Sequence, residues 1–191
     1  MSDVRRVIYS FTVSLDGFVA GPGGDISWSV PTPELHRLHN ERMREVAVQV
    51  CGRRLYEVMV YWDRPDAARV APEMIEFEQI WRTVPKIVFS STLKSVEGNA
   101  TLATEDVVDV VRRLRSEPGG PIAVGGAGLA AALIEHDLID DFRLFVSPVI
   151  LGAGTPYFPP MRRPLDLELV ETRTFDSGMV YLRYVRPAVT D

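Results

Sequence analysis

Two glycine-rich turns, each directly after a short apolar run, constrain this chain more than any other feature. The run 122–124 stops at Gly125-Gly126-Ala127-Gly128, and a helical pattern follows it. A second β-rich run, 142–151, ends in Gly152-Ala153-Gly154. Because glycine adopts turn conformations that other residues resist, each turn is predicted to end a strand. We expect the two loops to meet at one edge of a sheet and to mark the functional region.

The rest of the chain alternates strand and helix patterns. Strands are predicted at 5–14, 46–51 and 86–90, and a closing hairpin at 167–175 and 179–186. Helices are predicted from Pro33, with Thr32 as N-cap, and at 53–61, 73–82, 105–116 and 129–136. Thr104 is expected to cap the helix 105–116. This order predicts one α/β domain over 1–191, with a mostly parallel sheet and an antiparallel hairpin at one edge.

Composition excludes several classes of function. The net charge of −5 gives no electrostatic reason to expect a nucleic-acid partner. No apolar run reaches the length of about 18 residues that a membrane span needs. Cys51 is the only cysteine, so no internal disulfide is possible, and a cytoplasmic location is expected. His36 and His39 lack companions at metal-ligand spacing, so no metal is predicted and a solvated helix face is the simpler interpretation.

Three predicted strand ends are suited to phosphate. Gly126 to Ala131 fits G-x-G-x-x-A, although a glycine turn between strand and helix also occurs for packing alone. No carboxylate ends the next strand, which disfavours a Rossmann domain. Gly52-Arg53-Arg54 opens a helix and Ser90-Ser91-Thr92 follows a strand, although solvated arginines and an ordinary polar loop are the alternatives. Cationic and hydroxyl groups in place of a carboxylate favour NADPH over NADH.

Five segments in this order resemble the dihydrofolate reductase superfamily. They are Ser14 to Ala20, Gly52 to Glu57, Ser90 to Thr92, Val124 to Gly128 and Gly152 to Phe158. The resemblance is greatest to the reductase domain of bacterial riboflavin biosynthesis, the RibD C-terminal domain type, and it covers about 5–186. It implies a three-layer α/β/α fold with a central sheet of about eight mostly parallel strands and a C-terminal antiparallel hairpin.

The resemblance also implies a cleft for NADPH at the carboxyl edge of the sheet. Its nicotinamide end would be lined by Val13, Val19, Ala20 and Thr155. The pyrophosphate would meet Gly52, Arg53 and Leu55, and the 2′-phosphate region would meet Ser90, Ser91 and Thr92. The central phosphates would be covered by Gly125, Gly126, Ala127, Gly128 and Leu129.

Catalytic residues are less clearly marked by the resemblance. Dihydrofolate reductases carry a carboxylate on the first helix, and the matching position falls near His36, with Glu34 close by. Asp16 is the other candidate carboxylate, although an Asp before Gly17 is also typical of a turn. We take Asp16 and Glu34 as candidate catalytic residues. Trp28, His36 and Trp62 are the candidate substrate-binding residues.

These observations lead to one main hypothesis and two alternatives. The main one is an NADPH-dependent reductase of a small heterocyclic or ribosylamino-pyrimidine-like substrate. The alternatives are a non-catalytic NADP-binding protein, which the missing helix carboxylate favours, and a dimeric scaffold without ligand. With one cysteine the chain has no C-x-x-C pair of a zinc deaminase, so a stand-alone reductase domain is expected. A homodimer is expected to involve the tail strand 179–185.

Overall fold

The computed structural model describes residues 4–66 and 69–187. Its strands are β1 (Val7–Ser14), β2 (Phe18–Ala20), β3 (Val48–Gly52), β4 (Lys86–Phe89), β5 (Ala100–Leu102), β6 (Ile122–Gly125), β7 (Asp141–Ser147), β8 (Thr155–Pro156), β9 (Glu168–Thr174) and β10 (Val180–Val185). Its α-helices are α1 (Pro33–Arg44), α2 (Arg53–Met59), α3 (Pro72–Thr83), α4 (Val107–Ser116) and α5 (Ala127–Glu135). Short 3₁₀ turns cover Pro22–Gly24, Ser27–Ser29 and Val60–Asp63.

An eight-stranded sheet forms the centre of the fold, in the order β5-β4-β3-β6-β1-β7-β10-β9. The six strands from β5 to β7 are parallel, and β10 and β9 are antiparallel. Strands β2 and β8 pair separately beside it. The predicted three-layer α/β/α fold, with a central sheet of eight mostly parallel strands and a C-terminal antiparallel hairpin, is confirmed.

The helices divide between the two faces of the sheet according to their apolar stripes. Helix α4 buries a stripe that includes Val107, Val111 and Leu114, and it packs with α5 in the large core beneath β1, β3 and β6. Helix α1 buries Leu35 and Leu38 against the opposite face, over β7 and β10. Because side chains alternate along each strand, the even- and odd-numbered residues of β1 face different layers. No helix within the described ranges is long and apolar enough to cross a membrane.

Several element boundaries differ from those predicted. Helix α4 is capped by Asp106, whose Oδ1 accepts from the Val108 N–H at 2.8 Å, and the prediction of Thr104 is wrong. Helix α5 begins at Ala127, two residues early. Strand β7 ends at Ser147, because Pro148 has no N–H to donate to a ladder. The sequence reading missed β2, β5 and β8, which have two or three residues each.

The tail strand is not a sheet edge. Strand β10 pairs with β7 on one side and with β9 on the other, so residues 179–185 offer no free edge for the homodimer contact expected of them. The two edge strands of the sheet are β5 and β9, and on β9 the side chains of Leu169 and Val170 are exposed.

Candidate functional site

The three loops that are predicted to bind phosphate lie side by side at one edge of the sheet. Strands β4, β3 and β6 are consecutive neighbours and parallel, so the segments after Phe89, Cys51 and Val124 leave the same edge in the same direction. The loops at Gly52 and Gly126 nearly touch, because a Cβ on Gly126 would lie 3.7 Å from the Gly52 nitrogen. Ligands collect at such carboxyl edges in open α/β sheets.

Glycine is needed for different reasons along the second of these loops. A Cβ on Gly125 would lie 2.2 Å from Leu55 Cδ2 and 3.1 Å from Cys51 Cβ, so a larger residue would fit there only if the Leu55 side chain moved. Gly126 has a φ of +110°, which side chains other than glycine rarely adopt. A Cβ on Gly128 would meet nothing within 4 Å. The first turn of α5 therefore borders open space, and it has no capping side chain.

The remaining cofactor candidates form local contacts. Arg53 donates to both oxygens of Glu57 at 3.1 and 3.2 Å, and both side chains are exposed. The Ser90 hydroxyl accepts from the backbone N–H groups of Thr92 (3.1 Å) and Leu93 (3.0 Å). Ser90 thus shapes its own loop, while Ser91 and Thr92 are exposed beside it.

The other end of the predicted cleft is formed by β2 and β8. Ala20 pairs with Thr155, and a Cβ on Gly154 would lie 2.0 Å from the Ala20 carbonyl oxygen. Tyr157, which follows β8, attaches this pair of strands to Tyr9 of β1. The two rings stack at 4.2 Å, and each hydroxyl donates to the backbone carbonyl oxygen of the other tyrosine. The glycine loop 152–154 is thereby held close to β2. Val19 and Ala20 are half-buried, whereas Val13 lies in the core.

A cavity of about 330 Å³ lies between the sheet and α1. Its floor is the sheet face that carries Ile8, Ser10, Gln49, Ala123 and Gly125. Its other walls come from α1, from Leu55 and Met59 of α2, and from aromatic side chains. Gly125 belongs to both the cavity lining and the glycine turn after β6, and Leu55 of α2 packs against it, so the cavity adjoins the loop edge.

An aromatic wall closes one side of the cavity. The Trp62 ring lies 4.8 Å from Phe77 and 6.0 Å from His36, both in edge-to-face geometry. The turn that carries Trp62 is anchored by Asp63, which accepts from Trp81 Nε1 at 2.9 Å and lies 3.7 Å from the buried Lys86 ammonium. The structure therefore brings the predicted substrate residues His36 and Trp62 together.

The two histidines of α1 differ in their chemistry. His39 lines the cavity against Phe145, and burial together with the neighbouring His36 lowers the pKa of His39 to about 4. His36 Nδ1 lies 3.2 Å from the Oδ1 of Asn40. The Asn40 NH₂ group donates to the Glu73 carbonyl and to Glu76, which fixes the amide orientation. His36 Nδ1 must therefore carry the hydrogen, leaving Nε2 as the acceptor of the neutral ring.

The charges near the cavity are balanced. Arg42 and Arg143 line it, but Arg143 donates to Asp141 at 3.0 and 3.1 Å and lies 3.3 Å from Glu45. Arg42 pairs with Glu45 at 3.1 Å and with Glu171 at 2.6 Å. Burial acts to raise the pKa of Asp141, but the hydrogen bonds from Arg143 and Arg183 outweigh it and lower that pKa.

The two candidate carboxylates lie outside the cavity lining. Asp16 accepts from the Leu151 N–H at 3.1 Å and the Gly152 N–H at 2.7 Å, and the Ser14 side chain with these bonds lowers its pKa. It thereby holds the loop after β7 against the turn after β1, through contacts to residues far away in the chain. Glu34 pairs with Arg173 at 2.7 Å on the surface. Trp28 also lies outside the lining and donates to the Asp25 carbonyl.

The sequence reading missed several cavity residues. They are Gln49, His39, Phe77, Arg42 and Arg143. Only Gln49 carries a signal in the sequence: a polar residue inside the apolar run Val48-Gln49-Val50-Cys51. A second depression, of about 570 Å³, lies between α5 and residues 159–165, and no predicted site residue lines it.

Comparisons with known proteins agree with this architecture. The uncharacterized protein YyaP of Bacillus subtilis (strain 168) is 30% identical over 184 residues, which cover 94% of each chain. Among solved structures, a Shewanella sp. PV-4 protein provisionally assigned to riboflavin biosynthesis matches with a TM-score of 0.74 and 22% identity, over 98% of this chain and 100% of that one. Dihydrofolate reductase from Enterococcus faecalis, complexed with NADP(H) and RAB-propyl, matches with a TM-score of 0.62 and 17% identity, over 98% and 100%.

The family model for the RibD C-terminal domain matches residues 5–181. This range spans the parallel sheet, both glycine turns and most of the closing hairpin. The chain therefore belongs to the RibD C-terminal domain family, within the dihydrofolate reductase-like fold.

Proposed function

We propose that this protein is an NADPH-dependent reductase of a small heterocyclic substrate. The observation that carries the proposal is the continuity between the loop edge and the aromatic cavity through Leu55 and Gly125. An extended dinucleotide needs anion-binding loops at one end and a ring pocket at the other. Family membership and the NADP(H) complex of the Enterococcus faecalis enzyme support this assignment.

The residues present fit such a cofactor. The uncapped first turn of α5 and the open space above Gly128 would take its phosphates, because free N–H groups at a helix start attract anions. Gly52, Arg53 and Leu55 would flank the pyrophosphate, with Arg53 exchanging Glu57 for phosphate. Ser91 and Thr92 would contact the 2′-phosphate. The nicotinamide would lie between Val19, Ala20 and Thr155 and the cavity. The bound cofactor supplies the hydride, which passes to a C=N or C=O carbon.

The proton for the substrate heteroatom needs a separate source. Asp16 and Glu34 are both engaged outside the cavity, and the lowered pKa of Asp16 keeps it ionised. His36 faces the cavity, and the bond from its Nδ1–H to Asn40 leaves Nε2 to gain and release a proton. We assign His36 as the proton donor, with Asn40 and Glu76 as positioning residues.

Nucleotide binding tests the proposal. Titration with NADPH and NADH, followed by nicotinamide fluorescence, is expected to give saturable binding that is tighter for NADPH. No saturable binding of either would overturn the proposal, and tighter NADH binding would overturn the role of Ser91 and Thr92. NADPH oxidation is then measured against a pterin and a ribosylamino-pyrimidine, with His36→Gln as the comparison variant.

A non-catalytic NADP-binding protein is the second candidate function. It is favoured by the absence of a free carboxylate among the described residues that line the cavity. Tight NADPH binding without oxidation in the presence of either substrate class would support it.

The homodimer stays a prediction, now assigned to the β9 edge, where exposed Leu169 and Val170 are flanked by Glu168 and Glu171.

A further inference from the structure

A buried amide without a partner lies at the floor of the cavity. Gln49 is 8% exposed, lines the cavity, and its Oε1 has no hydrogen-bond partner within the described part of the chain. An unpaired polar atom at such a depth costs about 1–3 kcal/mol of stability. The other side chains of β3 cannot pair with this amide, so a partner for it must come from outside the strand.

The neighbours of Gln49 leave it available to a ligand. On one side, β6 presents only Ala123 in register, with Gly125 next along the same face, and a Cβ on Gly125 would lie 3.0 Å from Gln49 Nε2. On the other side, Lys86 is in register but donates to the Trp81 carbonyl at 2.6 Å and pairs with Asp63. The amide therefore borders the cavity, and a rotation about its terminal bond would turn the buried Oε1 toward that space.

The walls of the cavity select a flat and uncharged occupant. The guanidinium groups of Arg42 and Arg143 are already matched by Asp141, Glu45 and Glu171. His39 is neutral at pH 7, because its pKa is about 4. A charged ligand would lose its hydration here without gaining a counter-charge from either guanidinium group or from His39. Trp62 and Phe77 meet edge to face at 4.8 Å and together supply an aromatic wall against which a ring can pack.

We propose that Gln49 is the specificity-determining residue of this cavity and binds an edge of a neutral heterocycle that presents a hydrogen-bond donor beside an acceptor. A primary amide pairs with such an edge through two parallel hydrogen bonds, as glutamine does with adenine. The edge is a lactam (N–H beside C=O) or an amino group beside a ring nitrogen. The inference rests on the proposed function, since it describes the substrate end of the same cleft.

The probes are lumazine, which has a lactam edge, and 1,3-dimethyllumazine, which has the same rings without the N–H donors. Binding is measured by lumazine fluorescence to the full-length protein with saturating NADP⁺, which prevents turnover, and again without nucleotide. The variant is Gln49→Met, which keeps the side-chain length and removes both hydrogen-bonding groups. Thermal unfolding of the ligand-free proteins and titration with NADPH are measured in parallel.

We expect the wild-type protein to bind lumazine about tenfold or more tighter than the dimethyl form. Gln49→Met should abolish that preference. The same variant should raise the Tm of the ligand-free protein by about 2–6 °C, because it removes an unpaired buried acceptor. A merely structural amide, satisfied by water, would instead lower the Tm when replaced.

Three binding outcomes overturn the inference, in addition to a lowered Tm. They are no saturable lumazine binding to the wild-type protein, equal affinity for the two probes, and a Gln49→Met variant that retains the preference. NADPH affinity should be the same in both proteins. If NADPH binds and lumazine discrimination fails, the assignment of Gln49 fails alone. If neither nucleotide nor lumazine binds, the proposed function fails with it.

Discussion

The substitution Gly128→Ala separates the stability of the fold from the proposed binding of phosphate. Gly128 is the second residue of α5, its φ is not in the left-handed region, and an added Cβ meets nothing within 4 Å. Alanine is favoured over glycine in a helix by up to about 1 kcal/mol. The ligand-free variant should therefore be as stable as the wild type or more so, with a Tm higher by up to about 4 °C.

The same methyl group should impair nucleotide binding. If phosphate binds at the first turn of α5 as proposed, the added methyl group would lie in the open space through which the phosphate approaches. Losing about one charge-assisted hydrogen bond, worth roughly 1.5–3 kcal/mol, would weaken NADPH binding about 10- to 150-fold. The dissociation constant is measured by nicotinamide fluorescence, and stability is measured by thermal and urea unfolding.

The control is Ala131→Gly, the reverse change one turn further along α5. It should lower stability and leave NADPH affinity unchanged. A Gly128→Ala variant with raised stability and an NADPH affinity within about twofold of wild type would refute the reasoning. Phosphate would then not approach the start of α5, and Gly128 would have no role beyond the turn.

Three further predictions follow from other contacts. Gly125→Ala should cost about 1–3 kcal/mol of unfolding free energy because its Cβ would meet Leu55 Cδ2 at 2.2 Å, and the cost should fall clearly in a Leu55→Ala background; additive effects in urea unfolding would contradict this. Asp141→Asn should destabilise the protein by about 3–5 kcal/mol at pH 7, because it leaves Arg143 and Arg183 without their buried partner. Since the folded-state pKa of Asp141 is lowered, this difference should persist above pH 4 and shrink as the pH falls through that pKa; an equal difference at pH 2 and pH 7 would argue against it. His39, with its pKa lowered to about 4, should titrate by NMR well below an ordinary histidine, and wild type should lose about 2–3 kcal/mol relative to His39→Phe between pH 6.5 and pH 4; a midpoint near 6.5 would contradict this.

Local patterns were sufficient for most of the fold. The alternation in 5–14, the Thr32-Pro33 helix start and the stripe of α4 each specify an element without help from distant residues. Local patterns did not predict an element correctly where the element is short or where tertiary contacts determine its end. Strand β5 pairs only with β4, and Asp106 outcompetes Thr104 as a cap because its carboxylate reaches the Val108 N–H.

The predicted site likewise has features that the sequence indicates and features that only the structure determines. Gly52, Ser90 and Gly125 follow strand ends in the sequence, and strand order decides that they are neighbours. The roles of Asp16 and Glu34 depended on where their carboxylates point, which spacing does not determine. Asp16 reaches Leu151 and Gly152, more than 130 positions away in the chain.

The sequence by itself determined the glycine turns, the alternation of strands and helices and the resemblance to the RibD C-terminal domain family. Only the tertiary structure decided what surrounds each glycine. A Cβ on Gly125 would meet Leu55, whereas a Cβ on Gly128 would meet no atom of the described residues within 4 Å. In the sequence, Gln49 is a polar residue in an apolar strand. The tertiary structure shows that its amide lies at the floor of a cavity and that its Oε1 has no partner among the described residues. The physical reason is that steric contact and hydrogen-bond satisfaction depend on atoms from distant parts of the chain.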